Sequence, residues 1–386
     1  MTRCRVAGML LAMCVTASCA TQQVARPTPS TSPASSPQAA DSPVPASLWL
    51  GTIQRLDSRT GLVAAWNGTG PALARTSDGG LTWQAIPVPD MRITSLRFID
   101  SKIGWIAGFS ADKQLVLRTQ DGGATWQQAL VVPNAPGADP LLQIQAVDGQ
   151  LAWVLVQPCV SAGQYTCPSE LRRTSDGGRS WTTLARGNIV AVRFADATRG
   201  WIAEHNSYMG ADIKVTSDGG STWTLRTHTS SGDVVGLDAA SGLAAWVLTR
   251  DGGYCTASTC SQYQVVRTID GGITWRSLGN PKAAGGNCWG GQLAGPVFAT
   301  PTRGWLAENT GAGGAAASTG LLRSEDGGVT WHCENAPTQT TLISAADPLH
   351  VWAARQHAGT EASLYSSEDG GLTWHAVNLG ALIQAK

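Results

Sequence analysis

The apolar positions of this chain fall in short runs separated by Gly-, Ser- and Asp-rich punctuation. Runs such as GWIAG (104–108) and GWLAE (304–308) carry a tryptophan near their start and predict strands. A further apolar run precedes them, clearest as SLRFID (95–100), AVRFAD (191–196) and GPVFAT (295–300), and predicts another strand.

The punctuation repeats. The strings TSDGGLTW, TQDGGATW, TSDGGRSW, TSDGGSTW, TIDGGITW, SEDGGVTW and SEDGGLTW place aspartates at Asp78, Asp121, Asp176, Asp218, Asp270, Asp326 and Asp369. Their intervals of 43, 55, 42, 52, 56 and 43 residues hold four short strands with their turns. Every copy fits [ST]-x-D-x-G-x-[ST]-W, the Asp box. Physically the box is a hairpin tip: Asp-Gly-Gly tolerates positive φ, and the carboxylate accepts bonds from exposed turn amides. The closing tryptophan starts the next strand and tucks between hairpins. The seven aspartates therefore predict turn-capping devices rather than a catalytic or calcium array.

A second tryptophan lies upstream of each box, at Trp66, Trp105, Trp153, Trp201, Trp246, Trp305 and Trp352. Each unit then reads as strand A, strand B with that tryptophan, strand C ending in the box, and strand D. The fold class expected is all-β: a seven-bladed β-propeller, four antiparallel strands per blade, with the Asp-box hairpin between third and fourth strands. The first unit begins near Leu48 and the last ends near Leu379, so closure is expected from packing of blades 1 and 7 face to face, with a strand crossing over as the alternative.

Composition adds little charge to this picture. Charged residues make up 14%, Lys+Arg equals Asp+Glu at 27 each, and Gly (45) and Trp (16) are abundant. Nothing there marks a nucleic-acid footprint or a polybasic membrane patch. The N-terminus has Arg3 and Arg5, the apolar run Val6 to Val15, then Thr16-Ala17-Ser18-Cys19. Residues 1–18 read as a secretory signal peptide, with Cys19 in the place of a lipidated lipoprotein cysteine although Thr16 replaces the usual Leu. Residues 19–46, with prolines at 27, 29, 33, 37, 43 and 45, read as an extended tether, and 47–386 as the propeller. Export and anchoring through lipid alone, in a monomer, are the expected state.

Removing the signal peptide and Cys19 leaves Cys159, Cys167, Cys255, Cys260, Cys288 and Cys333. An even remainder in an exported chain suggests disulfides. Spacing favours Cys159–Cys167 and Cys255–Cys260 as local staples, leaving Cys288 with Cys333. A zinc site is the rival, but no His stands at ligand spacing from the short pairs; no metal and no cofactor are expected.

The stretch LRFIDSKIGWIAGF followed by LVLRTQDGGATW resembles the photosystem II stability and assembly factor family, over roughly residues 50 to 380. More distantly the chain is similar to sortilin, sialidase and xyloglucanase propellers. The resemblance implies the fold strongly and function weakly. For photosynthetic members it implies binding of a membrane-protein subunit during assembly.

Strand parity puts the B–C and D–A loops on one face, and the A–B turns with the Asp-box hairpins on the other. From first Trp to box Asp the spans are 12, 16, 23, 17, 24, 21 and 17 residues, so the B–C loops of blades 3, 5 and 6 are enlarged. Recognition is expected on that loop face, with the near-uniform box face holding the ring together. Its candidates are the aromatics Tyr165, Tyr208, Tyr254, Tyr263 and Trp289. A partial ring three residues past the first Trp adds Thr69, Gly108, Val156, Glu204, Thr249, Glu308 and Arg355. Arg97 and Arg193 match each other in strands A of blades 2 and 4 and are candidates to line the channel and bind an anionic group. Arg75, Arg118, Arg173, Arg267 and Arg323, three residues before the box Asp, read as architectural, packed on a neighbouring aromatic.

A glycosidase needs two carboxyls roughly 5 to 9.5 Å apart, whereas Glu204 and Glu308 stand two blades apart, roughly 15 Å or more. The Arg-Ile-Pro segment of sialidases, a phosphate loop, an HExxH helix and a GxSxG elbow are all missing from the sequence. A protein-binding or assembly-factor-like scaffold of the cell envelope, with a protein or peptide partner, is therefore expected ahead of a carbohydrate-active enzyme or glycan-binding propeller.

Overall fold

The computed structural model describes residues 48–66, 70–134, 140, 142–158, 168–206, 210–229, 232–250, 263–281, 292–309, 320–336, 340–355 and 362–380. They form seven four-stranded antiparallel sheets, each built from consecutive strands. Strands A are Trp49–Arg55, Arg92–Phe98, Gln143–Ala146, Ile189–Phe194, Asp233–Ala239, Gln292–Phe298 and Leu342–Ala345. Each packs beside strand A of the next blade, and that of blade 7 beside that of blade 1, so the A strands line the axis of a closed seven-bladed propeller. Among the described residues no strand is shared between blades 1 and 7.

The boxes behave as the sequence predicts. In blade 1, Thr76 Oγ1 donates to Asp78 Oδ1 (2.7 Å), Thr82 N to the same oxygen (2.9 Å), and Thr82 Oγ1 to Oδ2 (2.5 Å). Gly80 N donates to Thr76 Oγ1 at 2.9 Å. The bonds recur around Asp121, Asp176, Asp218, Asp270, Asp326 and Asp369. Both box glycines have positive φ, 81° and 103° in Gly79 and Gly80, which an L side chain resists. The first of them donates to a carbonyl of the A–B turn in its own blade, as Gly122 N does to Lys102 O (2.8 Å), which fixes both hairpin families on one face.

Between blades, the tryptophan of strand B crosses the seam. Trp153 Nε1 donates to Gly219 O of the next box at 2.9 Å, Trp246 to Gly327 O at 2.8 Å, and Trp305 to Gly370 O at 2.9 Å. These side chains are fully buried, and truncating one to Ala costs about 3–5 kcal/mol in such a site. Trp153 stacks on Phe194 (3.8 Å, 10°) and Trp246 on Phe298 (3.7 Å, 3°), with Trp223 and Trp331 edge-on to the same phenylalanines.

The blades are of two kinds. In blades 2, 4 and 6 strand A ends in Phe98, Phe194 or Phe298, paired across the sheet with Gly104, Gly200 or Gly304. A Cβ on any of those glycines would lie 2.3–2.5 Å from the phenylalanine ring. In blades 3, 5 and 7 the pairs are Ala146 with Ala152, Ala239 with Ala245, and Ala345 with Val351. Blade 1 puts Arg55 opposite Gly61.

An arginine guards each seam. Arg75 Nη1 donates to Ser101 O of blade 2 (2.6 Å), Arg199 Nη1 to Gly271 O (3.1 Å), Arg267 Nη1 to Asp326 O and Gly327 O (2.9 and 3.0 Å), and Arg303 Nη1 to Pro348 O (3.3 Å). Arg118 and Arg173 sit over Trp105 and Trp153 (5.6 and 5.9 Å) with their guanidiniums against the next blade's Gly177 and Gly219. Of the five pre-box arginines, Arg118 and Arg173 cover an aromatic as expected, whereas Arg75 and Arg267 bind backbone carbonyls of the next blade without covering one. Arg323 departs from the pattern, pairing with Glu325 and with Glu334 (2.8 Å) in its own blade. The last seam is held from the opposite side by Arg55 of blade 1, whose side chain is buried against blade 7.

One expectation is corrected. Trp66 is not the blade 1 counterpart of the strand B tryptophans. Leu62 pairs with Arg75 as Trp105 pairs with Arg118, so Leu62 holds that place and Trp66 lies four residues beyond it. Ala65, not Thr69, is then the equivalent of Gly108; Thr69 lies outside the described residues.

Candidate functional site

The axial strands mostly consume their own polar groups. Gln54 bridges Phe98 N and O (2.8 and 2.9 Å), Gln143 bridges Val192 N and Val190 O (3.1 and 3.2 Å), and Ser95 Oγ accepts from Ile144 N at 3.1 Å. Asp238 Oδ2 accepts from Phe298 N at 2.6 Å. Each joins one blade to the next, where a buried amide would otherwise be costly.

Arg97 and Arg193 stand apart from this clasp. Both lie opposite a strand B tryptophan and share one position of their blades. Arg193 Nε pairs with Asp238 Oδ1 at 2.9 Å, and its Nη1 reaches Gln145 Oε1 at 3.4 Å. Arg97 donates from Nε to Ala146 O at 3.4 Å, and among the described residues no carboxylate lies within ion-pairing reach of it. Burial, with the Arg193 charge adding to it and Asp238 partly opposing it, pushes Arg97 down to about 10, so its guanidinium remains charged at neutral pH. Two cations and one carboxylate make a locally positive axis. Beside it is a cavity of about 300 Å³ lined by Ser95, Gln143, Gln145, Arg193, Gly236 and Pro296 among others. A small anion or a single carboxylate matches that charge and size.

The remaining candidates separate. Glu204 is ion-paired with Lys214 on the neighbouring strand rather than standing free. Val156 and Thr249 are buried, and the Gly108 Cα faces Arg92 O, so the expected ring of strand-B ends is not an open one. Arg355 is half-buried at the end of its strand and engaged by other groups. Glu308 closes strand B of blade 6, paired with Leu293 in the backbone register. Tyr263, expected at the loop face, is buried and accepts from Leu293 N through its hydroxyl at 2.8 Å. Tyr165, Tyr208, Tyr254 and Trp289 lie outside the described residues, as do Cys19, Cys159, Cys167, Cys255, Cys260 and Cys288. Cys333 is disulfide-bonded. Among the described residues no three His, Cys, Asp or Glu side chains gather as a metal site.

Sequence reasoning missed Asp238, which has the strand A position of Arg97 and Arg193 but the opposite charge. The register LDAASGLAAW against VRFADATRGW is the signal that pairs Asp238 with Arg193 as equivalents.

Fold and site define an Asp-box propeller with a polar, arginine-bearing axis. The family model described as photosynthesis system II assembly factor YCF48 matches residues 52–189, blades 1 to 3 and the first residue of blade 4. The chain is similar in fold to a solved structure titled YCF48 bound to D1 peptide, with a TM-score of 0.56, 21% identity, and coverage of 84% of this chain and 94% of that one. A puromycin-hydrolyzing peptidase of Mycobacterium tuberculosis aligns with a TM-score of 0.60 at 13% identity, over 90% of this chain and 57% of the other. A PL25 ulvan lyase aligns at 0.54 and 12% identity, over 89% and 99%. No curated protein sequence matches the chain significantly.

Proposed function

We propose that this chain is a protein- or peptide-binding propeller, an assembly-factor-like scaffold, whose axial Arg97 receives an acidic group of its partner. The observation that carries this is Arg97 itself: a half-buried cation with no carboxylate at ion-pairing distance among the described residues, beside Arg193, which has one and lines a cavity. A cation kept in that state costs stability, which favours a role in binding over one in the fold. The peptide in the YCF48 structure and the family model over blades 1 to 3 support the same partner class. Catalysis is disfavoured because Glu204 and Asp238 are committed to Lys214 and to Arg193 with Phe298 N.

The exported, lipid-anchored form belongs to the same proposal, with Cys19 carrying the lipid, residues 20–46 as tether, and Cys288 as the partner of Cys333. Cys159–Cys167 and Cys255–Cys260 then staple loops bearing Tyr165 and Tyr254, and with Trp289 they frame the loop face around the axis. Replacing Cys19 by Ser should release the protein from the membrane fraction.

The test is cross-linking in the native envelope followed by mass spectrometry, with wild type against Arg97→Gln. A protein captured by wild type and lost by the variant, with no product released from a glycan panel, is expected. Glycan cleavage by the purified protein would establish the carbohydrate-active alternative instead.

A further inference from the structure

In all seven boxes an aspartate stands directly before a glycine. In an open chain that pair is the one most prone to cyclise, because glycine places no side chain in the way of its own nitrogen. The glycine nitrogen attacks Cγ of the aspartate; a C–N bond forms as a C–O bond breaks, and the amide hydrogen leaves with the carboxyl hydroxyl as water. Water then reopens the succinimide ring. Cleavage at the main-chain carbonyl leaves an isoaspartate, whose backbone runs through Cβ and Cγ and is one carbon longer. The reaction needs no oxidant, cofactor or enzyme.

The folded box opposes each part of it. The attacking nitrogen is engaged elsewhere, since in every blade the first box glycine donates its N–H to a carbonyl of its own A–B turn, over 2.7–3.0 Å. Gly79 reaches Arg59 O at 2.7 Å, and the longest of the seven, Gly177 to Gln150 O, is 3.0 Å. The attacked carboxylate is held as well, with hydrogen bonds to both of its oxygens in all seven boxes. Its departing oxygen must also be protonated. Bonds from the Thr or Ser four residues on hold Asp78, Asp121, Asp176, Asp218 and Asp270 below the usual carboxylate range. At Asp326 and Asp369 burial opposes bonds of the same kind without reversing them. The reactive, protonated fraction is correspondingly small at neutral pH.

We propose that the Asp box is a chemical lock as well as a turn: it keeps seven aspartyl–glycyl bonds from isomerising while the blades are closed, and each becomes a site of isoaspartate formation when its own blade opens. The turn carbonyl and the hydroxyls belong to the same blade as the aspartate, so the blades are locked one by one. The added carbon of an isoaspartate carries the glycine nitrogen off the turn carbonyl. One event therefore leaves that box unlocked.

The test ages the full-length protein at neutral pH, in buffer and in denaturing urea, and locates isoaspartate by peptide mass spectrometry. All seven box peptides should accumulate it in urea and do so at least about tenfold more slowly in buffer. Thr76→Val removes the hydroxyl that Asp78 and Gly80 share. It should speed the reaction at Asp78 about tenfold, the worth of one hydrogen bond to a charged group, with the other six boxes of the same molecule as controls. If Thr76→Val unfolds, Thr82→Val is read instead, which removes only the bond to Asp78 Oδ2, with a smaller rise expected. A rise confined to Asp78 at an unchanged melting temperature separates the lock from general rigidity. Equal rates in buffer and urea would overturn the proposal, as would a folded variant that ages at Asp78 no faster than at its other boxes. Neither result depends on what the propeller binds.

Discussion

Arg55 lays its guanidinium 5.8 Å above the ring of Trp352, across 297 residues of sequence and the one seam that no covalent connection spans. It occupies the place that Phe194 takes over Trp153 and Phe298 over Trp246, and adds what phenylalanine lacks. Its Nη1 donates to Val351 O (3.3 Å), Ser366 Oγ (2.8 Å) and Ser367 O (3.0 Å), and its Nη2 to Glu368 Oε1 (2.5 Å). Glu368 in turn reaches His350 Nε2 at 3.0 Å.

Arg55→Met should therefore open the ring more readily than it disturbs any blade. Removing a buried, multiply bonded guanidinium costs about 3 kcal/mol or more, read as a lower urea midpoint, with proteolysis beginning near residues 48–66. Exposed Arg59→Ala is the control, expected within about 0.5 kcal/mol of wild type.

Gly200→Ala should be costly for a different reason. The new Cβ would lie 2.5 Å from Phe194 Cδ1, an overpacking worth about 1–3 kcal/mol. Adding Phe194→Ala recreates the Ala–Ala pair of blades 3 and 5, so the double variant should lose less than the sum of its singles, as a melting cycle would measure.

Acid should unfasten the boxes late. Hydrogen bonds from Thr or Ser hold Asp78, Asp121, Asp218 and Asp270 near 2, while burial opposes the same bonds at Asp369, also about 2. A depressed folded value means the contribution is fully present above the unfolded value, around 4, and is lost as pH falls from there toward 2. Denaturant midpoints should stay level from pH 7 to about 5 and drop steeply below about 4. A midpoint unchanged at pH 3 would contradict this.

The two axial arginines should differ in sign. Arg193→Gln strands the buried Asp238 carboxylate and should cost about 2–3 kcal/mol. Arg97→Gln removes a cation that has no direct ion pair among the described residues and should leave the melting temperature equal or higher while weakening partner capture.

The boxes were legible because seven aspartates, fourteen glycines and seven tryptophans obey one local rule, and four strands per interval follow from chain length. Blade 1 was harder. Matching tryptophan to tryptophan aligned Trp66 with Trp105, whereas the backbone register is set by Gly61, which a leucine follows. Arg55 gave no signal, since it holds a repeat position that is Phe or Ala in the other blades and most of its partners come from the far end of the chain. Arg97 and Arg193 were visible as a matched pair. That one is neutralised and the other is not depends on Asp238, a contact between blades that strand periodicity does not encode. Tyr263 read as a loop aromatic because it ends a long insertion, yet it is the first residue of a strand and buries its ring.

An odd cycle cannot be coloured with two alternating colours. Blades 2 to 7 alternate strictly between phenylalanine–glycine and alanine types, and any third blade set between 7 and 2 must violate the alternation with one neighbour. Blade 1 is that defect, and its Arg55–Gly61 and Leu62 substitutions let it face an alanine-type blade on one side and a phenylalanine-type blade on the other. A six-blade descendant made by deleting residues 49–86 would join blade 7 to blade 2 with the alternation intact, Trp352 then meeting Phe98 as Trp153 meets Phe194. The chain carries within it the parts of a smaller, evenly alternating ring, and blade 1, fastened to blade 7 by Arg55, is what makes it seven.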